Sequence, residues 1–177
     1  SEILDYSAQD PNVQFLTASV VARSTNAYVD TLTLNVGLRQ GVAEKMAVIA
    51  PGGVVGRVVE VGTNWCKVKT LLNDDLRLSV LVESSRDEGM LGGCIWSGDA
   101  MVGLQLYYLP ANAQLSVGDT IVTSGLGGLF PKGLKVGTVL SVSSGSETYD
   151  ACVVSEVDFA HLEEVMVVLG VSEGTGE

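Results

Sequence analysis

The sequence predicts an all-β protein built as two small β-barrels, and three observations carry that reading. Apolar and polar side chains alternate with a period of two over most of the chain. Turn-forming residues interrupt the alternation at short intervals. Residues 44–61 return in altered form at 117–142, which is the mark of two domains of similar construction.

The alternation is clearest where Leu76, Leu78, Val80 and Val82 interleave with Arg77, Ser79, Leu81 and Glu83. It recurs at Leu32 and Leu34 between threonines, at Val136, Thr138, Leu140 and Val142, and at Val165, Val167 and Leu169. Turn signals lie between the runs: Pro51-Gly52-Gly53, Asn73-Asp74-Asp75, Gly92-Gly93, Ser97-Gly98-Asp99 and Ser143 to Ser146. Pro51-Gly52 suits the central pair of a type II turn, with Gly52 at positive φ. Helix is scarce. Residues 158–164 have room for one or two turns with Asp158 as N-cap, and Ser1 to Tyr6 read as the last turn of a helix, followed by a linker through Asp10-Pro11.

In the internal echo, Glu44 to Ile49 followed by Val55-Gly56-Arg57-Val58 matches Val117 to Val122 followed by Val136-Gly137-Thr138-Val139. Each copy runs turn, apolar strand, glycine-containing loop, then a strand entered through Val-Gly. The glycine inside each second strand marks the bend that a tightly curved sheet needs. Strands 76–83, 89–96 and 102–108 pair in sequence, which predicts residues 73–149 as one barrel. Residues 17–72 hold too few strands alone, so residues 150–170 are expected to return and complete the other. Residues 1–16 are expected to be linker and 171–177 a tail. A division into two halves near residue 95 is the competing layout.

Composition narrows function. The 177 residues carry 10 Lys and Arg against 21 Asp and Glu, a net charge of −11, which argues against nucleic acid or an anionic membrane as partner. No apolar run reaches the ~18 residues of a membrane-spanning helix, and the start at Ser1-Glu2 has no basic leader region, as expected of a trimmed chain or a cytosolic one. Cys66, Cys94 and Cys152 lie far apart in apolar stretches. Buried structural thiols are the favoured reading, one disulfide is the minority reading, and no metal site or cofactor is expected.

The run Val117-Gly118-Asp119-Thr120-Ile121-Val122-Thr123-Ser124-Gly125-Leu126-Gly127-Gly128-Leu129-Phe130-Pro131-Lys132-Gly133-Leu134-Lys135-Val136-Gly137 resembles the most recognisable segment of the MreC family of cell-shape-determining proteins. Thr31 to Asn35 with Gly37 and Gly41-Val42, Gly53 to Val58, and Asp158-Phe159 with Leu162 to Val165 resemble three further family segments, in order. The likeness runs from about residue 18 to residue 169. Two departures stand in it: Lys45 where the family usually has glycine, and Gly52-Gly53 in place of Asp-Gly.

The resemblance implies a non-catalytic periplasmic scaffold with two barrels of chymotrypsin-like topology. It also implies an N-terminal inner-membrane helix and coiled coil outside this sequence, with Ile3 and Leu4 ending the coil. The implied partners are further copies of the chain as a homodimer or larger assembly, MreD, a class B penicillin-binding transpeptidase, RodA and, indirectly, MreB.

A two-barrel serine hydrolase is the alternative that such topology raises. It needs the single histidine, His161, beside Ser124 or Ser146. The carboxylate pairs Asp74-Asp75, Asp87-Glu88 and Glu163-Glu164 read as solvated, since neighbours on a strand face opposite ways. A glycan-binding barrel that stacks a sugar on Trp96, Tyr107 and Tyr108 is a third reading. As interaction residues the candidates are Leu126, Leu129, Phe130, Trp96, Tyr107 and Tyr108. Leu129 and Phe130 either plug a barrel end or stay exposed to dock a partner, and alternation places the two tyrosines on opposite faces.

Overall fold

The computed structural model describes residues 13–24, 29–97, 101–127, 130–144 and 149–171. The strands are β1 (Val13–Arg23), β2 (Thr31–Leu34), β3 (Ala47–Ala50), β4 (Gly53–Val61), β5 (Cys66–Thr70), β6 (Arg77–Val82), β7 (Glu88–Ser97), β8 (Met101–Leu109), β9 (Thr120–Thr123), β10 (Lys135–Ser144), β11 (Tyr149–Val154) and β12 (Glu164–Val171). They close into two antiparallel barrels, one in the order β1-β12-β3-β4-β5-β2 and one in the order β10-β11-β8-β7-β6-β9.

The first unit takes residues up to Thr70 and again from Val157, and the second is Leu71–Glu156. The expected boundary at residue 150 is therefore displaced: β11 pairs with β8 and β10 and closes the second barrel, so only β12 returns to the first. A boundary near residue 95 would cut β7 in two. Val13 to Leu16, expected as linker, already belong to β1, where Val13 stands opposite Val171 and Leu16 opposite Val167. The expected helical start and the tail beyond Val171 lie outside the described residues.

Alternation fills each barrel. Leu32, Leu34, Val48, Val54, Val58, Val68, Val165 and Val167 are buried in the first, and Leu78, Val80, Leu91, Leu104, Leu106, Ile121, Val136 and Val153 in the second. Gly56 and Gly137 sit at matching bends. A Cβ on Gly56 would strike the backbone of Lys69 and Thr70, and one on Gly137 the backbone of Val154 and the Val153 side chain. These close approaches let β4 pair with β3 along Gly53–Arg57 and with β5 along Gly56–Val61, turning the corner of the barrel. Gly52 turns the β3–β4 hairpin at φ 100°.

Local pairing refines the expectations. Residues 158–164 form one short turn, the 3-10 segment Phe159–His161, with Asp158 at its N-cap position as expected but without a side-chain capping bond; Leu162 is already extended. Instead Arg23 on β1 donates to the carbonyls of Phe159 and Leu162, tying the turn to the sheet. Leu140, expected inward, faces solvent, because the extra residue between Lys135 and Gly137 has already slipped the alternation by one and Val139, opposite Val153, is the buried residue. Lys67 and Lys69, charged residues on β5, do not stand on an edge, since β5 is paired on both sides by β2 and β4.

Candidate interaction surface

The second barrel presents an aromatic row on its outer face. On β6, Leu78 and Val80 point inward and Ser79 outward; on β7, Leu91 points inward and Met90 outward; on β8, Leu104 and Leu106 point inward. Ser79 pairs with Met90 and Met90 with Tyr107, and the Ser79 Oγ lies 3.4 Å from the Met90 sulfur. Period two would turn Tyr108 back toward the core. A bulge prevents it: between Leu106, opposite Ala151, and Leu109, opposite Tyr149, β8 holds two residues against one on β11. Tyr108 takes φ 64°, a left-handed conformation that a bulky residue rarely adopts, and is 73% exposed. Its ring meets that of Tyr107 edge-on, with centroids 4.6 Å apart at 72°. The tyrosines thus share one face, contrary to the expectation from alternation.

The loop after β9 leaves from the same level. Ser124 N donates to Ser79 O at 3.1 Å, placing the loop's start beside the row. Thr123 is fully buried and clasps the loop: its hydroxyl donates to Pro131 O and accepts from Leu134 N at 2.9 Å, and its backbone bonds Gly133 and Leu134. Gly125 and Gly127, at φ 79° and 83°, make the turns. Leu126 projects from the loop, 56% exposed. Phe130 is only 7% exposed, which fits the packing alternative given for it and not the exposed one. Leu129 and the Trp96 side chain lie outside the described residues.

Each described hydrolase candidate has a local partner within its own unit. His161 Nδ1 sits 2.9 Å from an Asp158 carboxylate oxygen, but both side chains stand largely in water in the first unit. Ser124 belongs to the second unit, is buried, and its hydroxyl accepts from Leu126 N at 3.2 Å. Ser146 falls outside the described residues. No group of three or more His, Cys, Asp or Glu side chains able to hold a metal occurs among the described residues. Cys66 is buried in the first barrel, and burial pushes its thiol up to about 11; burial also raises Cys152 in the second. For the glycan reading, Tyr107 and Tyr108 line a convex outer face and not a barrel interior.

Sequence reasoning missed several exposed apolar side chains: Val21, Leu38, Trp65, Val117 and Leu140. Leu38 and Trp65 are neighbours, since Leu38 N donates to Gly62 O at 2.8 Å and the Trp65 ring lies over Gly62, where a Cβ would collide with it. The signal was present as a tryptophan within the turn residues Gly62-Thr63-Asn64. Val117 and Leu140 lie next to the bond from Gly118 N to Val139 O, 2.8 Å.

Residues 20–169 match the family model described as "Rod shape-determining protein MreC, barrel core". The cell shape-determining protein MreC of Listeria monocytogenes is 32% identical over 146 residues, covering 81% of this chain and 48% of that protein. That of Escherichia coli is 37% identical over 131 residues, covering 73% of this chain and 34% of that protein. The chain thus spans half or less of the length of these relatives. Among solved structures, MreC from Listeria monocytogenes superposes with a TM-score of 0.83 at 29% identity, covering 99% of this chain and 88% of that one. A complex between penicillin-binding protein PBP2 and MreC from Helicobacter pylori matches in fold, with a TM-score of 0.68 at 17% identity over 88% of this chain and 98% of that one.

Proposed function

The chain belongs to the MreC family of rod shape-determining proteins, and from that premise we propose that it is a periplasmic scaffold of the cell-wall elongation machinery. It works by presenting barrel surfaces to peptidoglycan-synthesis enzymes and to further copies of itself. The observation that carries the reading is the family match over residues 20–169, which takes in both barrels. The Helicobacter pylori relative whose structure is a complex with PBP2 supports a class B penicillin-binding transpeptidase as the direct partner. MreD, RodA, the MreB filament and a homodimer follow from the family reading alone, as does anchoring in the inner membrane through a helix outside this sequence. The reading assigns no catalytic step to the chain.

Leu126, Tyr107 and Tyr108 form the contact region in this reading; Trp96 and Leu129 extend it by sequence. The test is photocrosslinking in cells from Tyr108 and Leu126, with the buried Phe130 as a negative control. Capture of a wall-synthesis enzyme from the exposed positions is expected. Recovery of neither such an enzyme nor a second copy, from these or any other exposed site, would overturn it.

A further inference from the structure

The bulge at Tyr107 and Tyr108 is not required by the barrel. The corresponding strands of the first barrel, β2 and β5, pair from Thr31–Lys69 to Leu34–Cys66 without a break. In the second barrel the interruption holds Tyr108 at positive φ and places both rings on one face. Strain of this kind costs about 1–3 kcal/mol and persists where surrounding structure enforces it, commonly at binding surfaces. The outcome is a pair of π-faces beside the polarizable sulfur of Met90.

Charge selects what those faces receive. Residues 71–156 carry four Lys and Arg against ten Asp and Glu. Glu88 is exposed on β7, two residues from Met90 and on the same face. Two arginines lie close to this face in sequence: Arg77, two residues from Ser79, is held back over Gly92 by bonds from its guanidinium to the carbonyls of Asp74 and Leu76, and Arg86, two residues from Glu88, donates to the Glu83 carbonyl at 3.4 Å. Aromatic faces with an acidic neighbour attract a cation, because the ring quadrupole and the carboxylate act in the same direction.

We infer that Tyr107, Tyr108, Met90 and Glu88 receive an arginine or lysine side chain from an extended segment of a partner protein. The inference rests on the scaffold reading and names the chemistry of its partner.

The test titrates the protein with a short blocked peptide of alternating leucine and arginine, and with the same peptide in which citrulline replaces arginine. Binding is followed by NMR of the tyrosine rings and the Met90 methyl group. The arginine peptide is expected to shift Tyr107, Tyr108 and Met90, and the citrulline peptide to bind about three- to fivefold more weakly, the size of an exposed cation–aromatic contact. Tyr108→Phe keeps that discrimination, Tyr108→Leu loses it, and Glu88→Gln weakens binding most at low salt. The peptide comparison needs no variant, so it stands even if Tyr108→Leu folds poorly.

Equal binding of the two peptides, no binding of either, or shifts confined to another surface would overturn the inference. So would a concentration-dependent dimer lost in Tyr108→Leu, which would assign the face to a second copy. Crosslinks from Tyr108 to a wall-synthesis enzyme without arginine discrimination would remove this inference and leave the scaffold reading standing.

Discussion

Strand for strand the two barrels follow one plan: β6 to β11 of the second correspond to β12 and then β1 to β5 of the first, with the same neighbours throughout. The first barrel is thus a circular permutation of the second, its opening strand supplied last by the chain. Three of their irregularities also coincide, while the extra residue Leu169 on β12 has no counterpart on β6. Extra residues fall at Val55 and Val136, at Val59 and Leu140, and at Val21 and Gly93, each at the corresponding place in the ladder. Bulges that recur are part of closing the barrel. What does not recur is informative by contrast. The tight Pro51-Gly52 turn becomes a long clasped loop in the second barrel, and β8 gains the bulge that turns both tyrosines outward. Both additions lie on the second barrel and at one level of it, and neither serves closure.

The permutation itself gives the largest expected effect. Deleting β12 should remove hydrogen-exchange protection throughout β1 to β5 while β6 to β11 keep theirs; loss of protection in both would show that the second barrel is not an independent unit. Next comes the matched pair of bends. Gly56→Ala should destabilise the first barrel by about 3 kcal/mol, the upper end of overpacking penalties, and Gly137→Ala should do the same to the second. Denaturation followed with a probe in each barrel would read the two separately, and an effect on only one would break the equivalence.

A smaller effect follows from Cys66. In the unfolded chain its thiol ionises near 9.0, in the folded barrel near 11. Between those values the unfolded state has already lost its proton, so stability of the first barrel falls as pH rises and levels off above the upper one. The loss is at most about 2.5 kcal/mol. Chemical denaturation across that range should show the slope, and Cys66→Ala should abolish it.

The smallest effect concerns a turn. Lys45 N donates to Val58 O at 2.7 Å just as Gly118 N does to Val139 O at 2.8 Å, but Lys45 holds φ 76° where Gly118 holds φ 95°. Lys45→Gly should therefore stabilise the first barrel by about 0.5–1 kcal/mol and Gly118→Ala destabilise the second by about 1 kcal/mol, measured as opposite shifts in Tm.

Most of the plan was legible because it lies in alternation and glycine placement. Val55-Gly56 and Val136-Gly137 exposed the repeated hairpin, and Leu76, Leu78, Val80 and Val82 declared their inward facing directly, although Leu81, placed with the outward set, is buried too. The missing strand of the first barrel was also foreseeable, since residues 17–72 hold too few. Its position was not, because β11 and β12 both read as apolar strands and only pairing separates them. A bulge adds one residue and leaves composition untouched, so Leu140 and Tyr108 were assigned the wrong face by a rule that is sound on either side of them. The burial of Phe130 depends on Thr123 gripping the far end of its loop, a contact between residues that no periodicity relates.

Val13 stands opposite Val171 at the end of the β1–β12 pair. Those two positions are the facing ends of an antiparallel pair, and tension applied between them would unzip the first barrel rung by rung instead of shearing it. Until β12 came free, the tyrosine-bearing barrel, residues 71–156, would carry none of the load and would keep its shape.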